Sequence, residues 1–330
     1  MVTGEIERQL EELLTESGVV AAGSGPIAAL HFDAHQARLR IAAGEADSRH
    51  FTFRNPQRAA TLQSTFPWSH GYVAVAVPYK TAREDETMVA GYAQHRSYAQ
   101  LRAALAAAVA TLRAAGYRAT SLYDANQAFD KALARRAGVG FIGRHSLVMV
   151  PKVGARVVLG SIFTEDVLDV RIGRRFGSDP CRGCRRCVDA CPTGAIRMPG
   201  TVIASRCIAS ILQQERWSVD DRRVVGTRVY GCDSCIDACP IGWRQRESTV
   251  SAPLARWLRE GDRELLDEVG HWYIPRRDAF YVRRNVANAL RNRGSLRPDE
   301  RNALAQLCLA NDQRLRQEGL RSLLGVRWDR

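Results

Sequence analysis

Residues 181–192 read Cys181-Arg182-Gly183-Cys184-Arg185-Arg186-Cys187-Val188-Asp189-Ala190-Cys191-Pro192. The spacing C-x2-C-x2-C-x3-C-P is that of the bacterial ferredoxin run. There a looped backbone presents three thiolates to one iron–sulfur cluster, while the fourth starts a helix and serves a second cluster. A second run, Gly231-Cys232-Asp233-Ser234-Cys235-Ile236-Asp237-Ala238-Cys239-Pro240, repeats the C-x2-C-x3-C-P ending without its first cysteine. Cys207 can supply it. The crossing rule then assigns Cys181, Cys184, Cys187 and Cys239 to one [4Fe–4S] cluster and Cys191, Cys207, Cys232 and Cys235 to the other. Two four-thiolate zinc sites are the competing reading, because C-x2-C pairs also serve zinc. The doubled C-x3-C-P ending belongs to the iron–sulfur pattern.

Outward from this stretch, cysteine is scarce. Eight of the nine cysteines fall between Cys181 and Cys239 and none precedes them, a clustering that dispersed structural disulfides would not give. Cys308 sits on an apolar helical face and reads as core. The 330 residues allow about two domains. No apolar run approaches the roughly 20 residues of a membrane span. The opening MVTGEIERQLEELL puts charges where a secretory signal has its apolar core, so a cytoplasmic protein without a membrane partner is expected. The net charge of +13 suits a polyanionic partner. Only Lys80, Lys131 and Lys152 are lysine among 48 basic residues. Codon composition can produce such an arginine bias, so the sign of the charge carries the inference and the arginine identity does not.

The chain reads as an α+β multidomain protein. Residues 1–175 form an α/β domain. It opens with an amphipathic helix (Ile6, Leu10, Leu13, Leu14), followed by a strand over 71–78 and an Ala-rich helix over 88–115. A strand over 118–123, a helix over 127–136 and a hairpin-like pair, 147–150 with 156–163, complete it. Residues 176–250 form the ferredoxin-like double-cluster module. Residues 251–330 form a short HEAT-like helical tail, marked by apolar groups at 254, 257 and 258, at 265 and 266, at 286, 289 and 290, at 304 and 307, and at 320, 323 and 324.

Two clusters pass single electrons yet need only about a quarter of the chain. The remainder must hold an acceptor, a substrate, or both. Asp124 is either the cap of a helix starting near Asn126 or a carboxylic acid kept protonated by burial. Gly138, Gly140 and Gly143 permit close approach of backbone to a large flat ligand, or simply form a turn. His145 either contacts cofactor or substrate or is satisfied by backbone at a loop-to-strand junction, and the Tyr98 hydroxyl has the same two readings. Arg276-Arg277 and Arg283-Arg284, beside Tyr273, Phe280 and Tyr281, suit an RNA loop through phosphate contact and stacking, or form the surface of a helix repeat with buried aromatics.

The sequence resembles the epoxyqueuosine reductases, cobalamin-dependent iron–sulfur enzymes of transfer-RNA modification. The blocks that carry the resemblance are Arg54-Asn55-Pro56, Tyr123-Asp124 with Asp130-Lys131-Ala132, the turn AGVGFIGR at 137–144, the double-cluster module with its isolated Cys207, and VRRNVANALRN at 282–292. The resemblance implies a base-off cobalamin held between the α/β and cluster domains, with contacts from Arg54, Asp124, Gly138, Gly140, Gly143, Arg144 and His145. It implies an epoxyqueuosine in a tRNA anticodon loop as substrate, Asp124 as proton donor, and an electron donor such as a flavodoxin or ferredoxin system.

The chain departs from the family pattern in three places. Ser97-Tyr98-Ala99 stands where Asp-Tyr-His is common, Ala125-Asn126-Gln127 where Ser-Ala-Pro is usual, and Gly143-Arg144-His145 where Gly-Lys-Asn is usual. A related cobalamin and iron–sulfur reductase with another substrate, and an electron-transfer protein without corrinoid, are the alternatives.

Overall fold

The computed structural model describes residues 3–46, 54–79, 81–82, 89–198, 200–242, 246–247 and 252–324. The chain divides into two compact units, one of residues 1–80, 95–205 and 234–245, the other of residues 81–94, 206–233 and 246–330. The cysteine-rich stretch is thereby shared between them.

The first unit is built on a five-stranded sheet in the order Ala119–Leu122, Val157–Thr164, Gly71–Pro78, Ala21–Pro26, Arg171–Ile172. Gly71–Pro78 is central because it presents apolar side chains, most of them small, on both faces, and it is buried from Gly71 to Val77. Tyr72, Ala74 and Ala76 enter a core with Leu30, Ala34, Leu62, Leu133 and Phe163. Alternation along the strand sends Val73, Val75 and Val77 to the other face. There Gly160, the register partner of Val75, lies against Leu101 and Leu105 of the helix His95–Ala114. The N-terminal helix Thr3–Glu16 buries Ile6, Leu10 and Leu14 completely, each such side chain being worth about 1.5–3 kcal/mol.

Three expectations change. Every pairing in this sheet is antiparallel, so the N-terminal segment is α+β in organisation, not the parallel α/β type. The long helix begins at His95 because Gly91–Ala93 is a 3-10 turn; residue 88 of the expected helix lies outside the described residues. The expected hairpin does not form as a pair. Val148–Met149 pairs with Phe141–Ile142, whereas Val157–Thr164 finds eight partners on Gly71–Pro78 and four on Ala119–Leu122. Only a bridge from Val150 to Gly154 survives of the local turn, around Lys152 at φ +68°.

The second unit is helical. Leu254–Arg259, Asp262–Glu268, Phe280–Arg293, Pro298–Leu307 and Gln313–Leu324 enclose Trp257, Leu265, Trp272, Val286, Leu290 and Leu304. In the last helix Leu315 and Leu323 meet this core, while Leu320 and Leu324 are exposed. The Cys308 thiol donates to Leu304 O at 3.3 Å and abuts Gly319, a packing role. Two short helices, Ile208–Ile211 and Val219–Val225, complete the unit; Ser218 and Asp221 form a capping box on the second. No described helix is long and apolar enough to cross a membrane.

Candidate metal centres and the aspartate turn

In the first unit the turn that opens at Cys181 returns the Cys184 amide to Cys181 O at 2.7 Å and leads into the one-turn helix Arg186–Asp189, which buries Cys187. Burial raises the Cys187 thiol pKa, and so do the neighbouring thiols of Cys239, Cys181 and Cys184. Cys239, 52 residues along the chain, is raised by burial and by Cys181 and Cys184 in turn. Cys239 thus lies beside the thiols of the first run. Two features fix its segment: Arg156 pairs with Asp237, and Gly154 bridges Gly242 backbone to backbone. A Cβ on Gly154 would stand 2.3 Å from Ile241 O, so this joint requires glycine.

Cys191 behaves differently. Burial would raise its pKa, but hydrogen bonds from the Thr193 hydroxyl and from the amides of Thr193, Ala195 and Ile196 outweigh it and hold the group below the usual thiol range. The Ala195 N–H reaches the sulfur at 3.3 Å. Amide bonds of this kind stabilise a thiolate ligand and tune a cluster. Cys235 belongs to the same unit. In the second unit Cys207 is the N-cap residue of Ile208–Ile211, and Cys232 packs on Ile208, Ile211, Leu212 and Val225. Among the described residues no three His, Cys, Asp or Glu side chains converge as for one metal ion.

A second constellation follows the strand Ala119–Leu122. Asp124 has φ +46°, a left-handed backbone uncommon for any residue but glycine and costing of order 1–3 kcal/mol. It caps no helix: the next one starts at Asp130, with Phe129 at its N-cap. Instead the Asp124 N–H donates to the Asp130 carboxylate. Asp124 keeps solvent contact, yet protein crowds its carboxyl densely enough that desolvation raises its pKa, as in a recess open to water. Burial, and next the charge of Asp124, push Asp130 up to about 7; one of its carboxyl oxygens, Oδ1, is buried with no partner among the described residues.

Lys131, the next residue, donates to Ser146 O at 2.9 Å. Ser146 has φ +62°, and beside it His145 is 3% exposed. Burial, then the Lys131 charge, push His145 down to about 4, so its ring is neutral at neutral pH. Its Nδ1 accepts the Leu147 N–H at 3.2 Å. The ring proton therefore sits on Nε2, a buried donor with no partner among the described residues. Tyr98 reaches the same neighbourhood, its ring 6.2 Å from that of Tyr123.

The glycines of the 137–144 turn serve the chain's own packing. The Arg175 guanidinium covers Gly138 (φ +75°), Met149 O would lie 2.3 Å from a Cβ on Gly140, and His145 Cε1 would lie 2.9 Å from one on Gly143. Arg144 contacts Met198 Sδ at 2.9 Å. Arg54 is exposed, in the bend before the helix Pro56–Ala60, which Asn55 caps. The RNA-gripping reading of Arg283-Arg284 is corrected. Arg283 is 7% and Arg284 1% exposed, with Phe280 and Tyr281 equally buried, and Arg283 pairs with Asp262. Sequence reasoning quoted Asp130 only within a block of the family resemblance and gave it no role, since a carboxylate at the first turn of a helix is common for dipole reasons alone.

Residues 180–242 match the family model of the 4Fe-4S double cluster binding domain. Over 87% of its length the chain is 27% identical to the epoxyqueuosine reductase of Xanthomonas campestris pv. campestris, covering 82% of that protein. It is 36% identical to the epoxyqueuosine reductase of Bacillus subtilis over a segment of 34% of the chain, which spans 29% of that relative's length. In fold it superposes, with a TM-score of 0.83 and 23% identity, on an epoxyqueuosine reductase crystallised with an epoxyqueuosine-modified tRNA-Tyr stem loop. That match covers 98% of this chain and 90% of the other. The chain is thus similar to the epoxyqueuosine reductases over most of its length, with a match to a double-cluster domain over residues 180–242.

Proposed function

We propose that this protein is a reductase that removes the epoxide oxygen of epoxyqueuosine at the wobble position of a tRNA, using two [4Fe–4S] clusters and a cobalamin. The observation that carries the reading is the Asp124 turn, a carboxyl of raised pKa held on a left-handed backbone beside a second carboxyl. The overall change consumes two electrons and two protons, breaks both carbon–oxygen bonds of the epoxide, and releases water. The ligand sets are Cys181, Cys184, Cys187 and Cys239 for one cluster and Cys191, Cys207, Cys232 and Cys235 for the other. The working segments are the N-terminal domain (1–175), the cluster module (176–250) and a HEAT-like tail (251–330), and the setting is the cytoplasm.

The residues fit a corrinoid in their donor chemistry. His145 Nε2 and Arg144 Nε are buried donors without partners among the described residues, and the amide arms of a corrin offer carbonyl acceptors. His145 and Arg144 would hold it, with Arg54. When bound, the cobalamin supplies a low-valent cobalt that delivers electrons to the substrate carbon.

The chain's own residues do the rest. Asp124 holds a proton at its carboxyl for the departing oxygen, which leaves poorly as an oxyanion. The raised pKa favours the proton-bearing form, so turnover falls as pH rises through it. Asp130 fixes the Asp124 backbone, and neutral His145 donates without adding charge. The anticodon loop is the macromolecular partner, and a flavodoxin or ferredoxin class protein supplies the electrons.

The test is anaerobic reconstitution with iron, sulfide and cobalamin, incubation with reductant and a tRNA anticodon fragment carrying epoxyqueuosine, and mass spectrometry. Loss of one oxygen mass that requires both protein and cobalamin supports the reading. Corrinoid binding with unchanged tRNA favours the second reading, a reductase of the same cofactors acting on another substrate, which Ser97 and Ala99 flanking Tyr98 motivate. Absence of corrinoid binding returns the electron-carrier reading.

A further inference from the structure

The helix Phe280–Arg293 carries a polar seam that no part of the proposed chemistry uses. Arg284, Asn288 and Asn292 recur at four-residue spacing, with Asn285 beside the first, on a helix otherwise packed into an apolar core. Every one of these side chains binds main-chain carbonyls of a single stretch, residues 212–229, which lies between Cys207 and Cys232.

Arg284 Nη2 donates to Leu212 O at 2.8 Å, and its Nη1 donates to Gln214 O and Glu215 O. Asn285 Nδ2 donates to Leu212 O at 3.0 Å and to Val229 O at 2.9 Å, while its Oδ1 accepts from Arg284 Nε and Nη2 at 3.1 and 2.9 Å. Asn288 and Asn292 donate to Arg222 O at 3.1 and 2.8 Å. Trp217 stacks under the Arg284 guanidinium at 3.9 Å and donates to Ile211 O at 2.6 Å.

These bonds answer a local need. Ile208–Ile211 is a single turn, whose last carbonyls have no partners within the helix; such a turn does not persist by itself. Trp217, Arg284 and Asn285 satisfy the carbonyls at its end, so its N-cap residue, Cys207, is held from behind. Asn285 at the same time grips Val229, three residues before Cys232. One buried side chain therefore touches both segments that present these thiols.

We propose that Arg284 and Asn285 are positioning residues for the cluster to which Cys207 and Cys232 are assigned. They set the separation of the two cysteines through the carbonyls of Leu212 and Val229. The proposal rests on that ligand assignment and is independent of the substrate.

Asn285→Asp is nearly isosteric, keeps an oxygen for Arg284, and removes both donors to Leu212 O and Val229 O. In the full-length reconstituted protein, the expected result is iron falling from about eight toward about four per chain. One of the two electron paramagnetic resonance signals of the reduced clusters should go and the other stay. Arg284→Lys, which keeps the buried charge and gives up the fork, should act in the same direction and decides the matter if the first variant does not fold. Full iron with both signals unchanged overturns the proposal, as does equal loss of both signals, which is the mark of general destabilisation. Cys207→Ala is run alongside; if it retains both clusters, the assignment falls and the proposal with it.

Discussion

The Asp130 carboxylate accepts the backbone N–H of Asp124, six residues earlier, and so closes a turn whose first residue lies at φ +46°. The side chain proposed to give the proton is held by its main chain to a second carboxyl. Asp124→Asn is expected to abolish turnover while leaving iron content and melting temperature unchanged; unchanged turnover would remove the proton-donor role. Asp130→Ala should reduce turnover by weakening the turn, and Asp130→Asn, which still presents an accepting oxygen, should restore much of it. If the asparagine variant is no better than alanine, the accepted hydrogen bond is not what Asp130 contributes.

The same pair makes stability depend on pH. Asp130 is pushed from 3.8 in the unfolded chain up to about 7 in the fold, so the native state binds its proton more tightly. That contribution is fully present below about pH 4 and is lost as pH rises through about 7. Replacing Asp130 by Asn should therefore flatten the stability profile between these limits, with the variant gaining on the parent as pH increases. Urea melts at pH 5 and pH 8 compare them directly; a parent no less stable at pH 8 relative to the variant would contradict the buried, raised carboxyl.

Cys239→Ala should remove the cluster of Cys181, Cys184 and Cys187, and Cys207→Ala the other, each leaving about half of the iron. The informative comparison is between the two. Were Cys239→Ala to spare the cluster of the first run, the grouping of Cys239 with Cys187 would have no consequence for iron binding.

Glu318 is 4% exposed and receives both Nη atoms of Arg222, at 2.6 and 2.7 Å. Removing one partner of such a buried pair costs about 3–5 kcal/mol, because the other charge stays buried. Glu318→Ala should lose stability on that scale in chemical denaturation, and a loss under about 1 kcal/mol would show that water reaches the pair.

What could be read from the sequence divides by range. The central strand was legible at 71–78 because alternating small apolar residues ending in proline admit one local reading. The approach of Cys239 to the first run was legible because the crossing rule encodes a long-range contact in local spacing. The pairing of 156–163 was not, since its partners lie at 71–78 and 119–122 and only the assembled sheet chooses between them and the nearby turn. Arg283-Arg284 misled for a related reason. Basic residues among aromatics describe an RNA surface and a carbonyl-binding seam equally well, and the difference is which way the helix faces. The four-residue spacing of Arg284, Asn288 and Asn292 was visible and pointed to one face, though not to the stretch that face would meet. Asp130 was hidden by its ordinary place at the start of a helix.

If Cys239 completes the group opened by Cys181, Cys184 and Cys187, as its place beside them supports, the first metal centre cannot be finished until the last thiol of the second run exists. A ribosome that has made the whole of the first run has made three quarters of a site. The intervening chain must emerge and fold back before a cluster can be enclosed, so metal loading is placed after synthesis of the entire module. A chain cut short anywhere between these cysteines would carry exposed thiols and no completed site, a state that proteolysis and oxidation would find before any electron did.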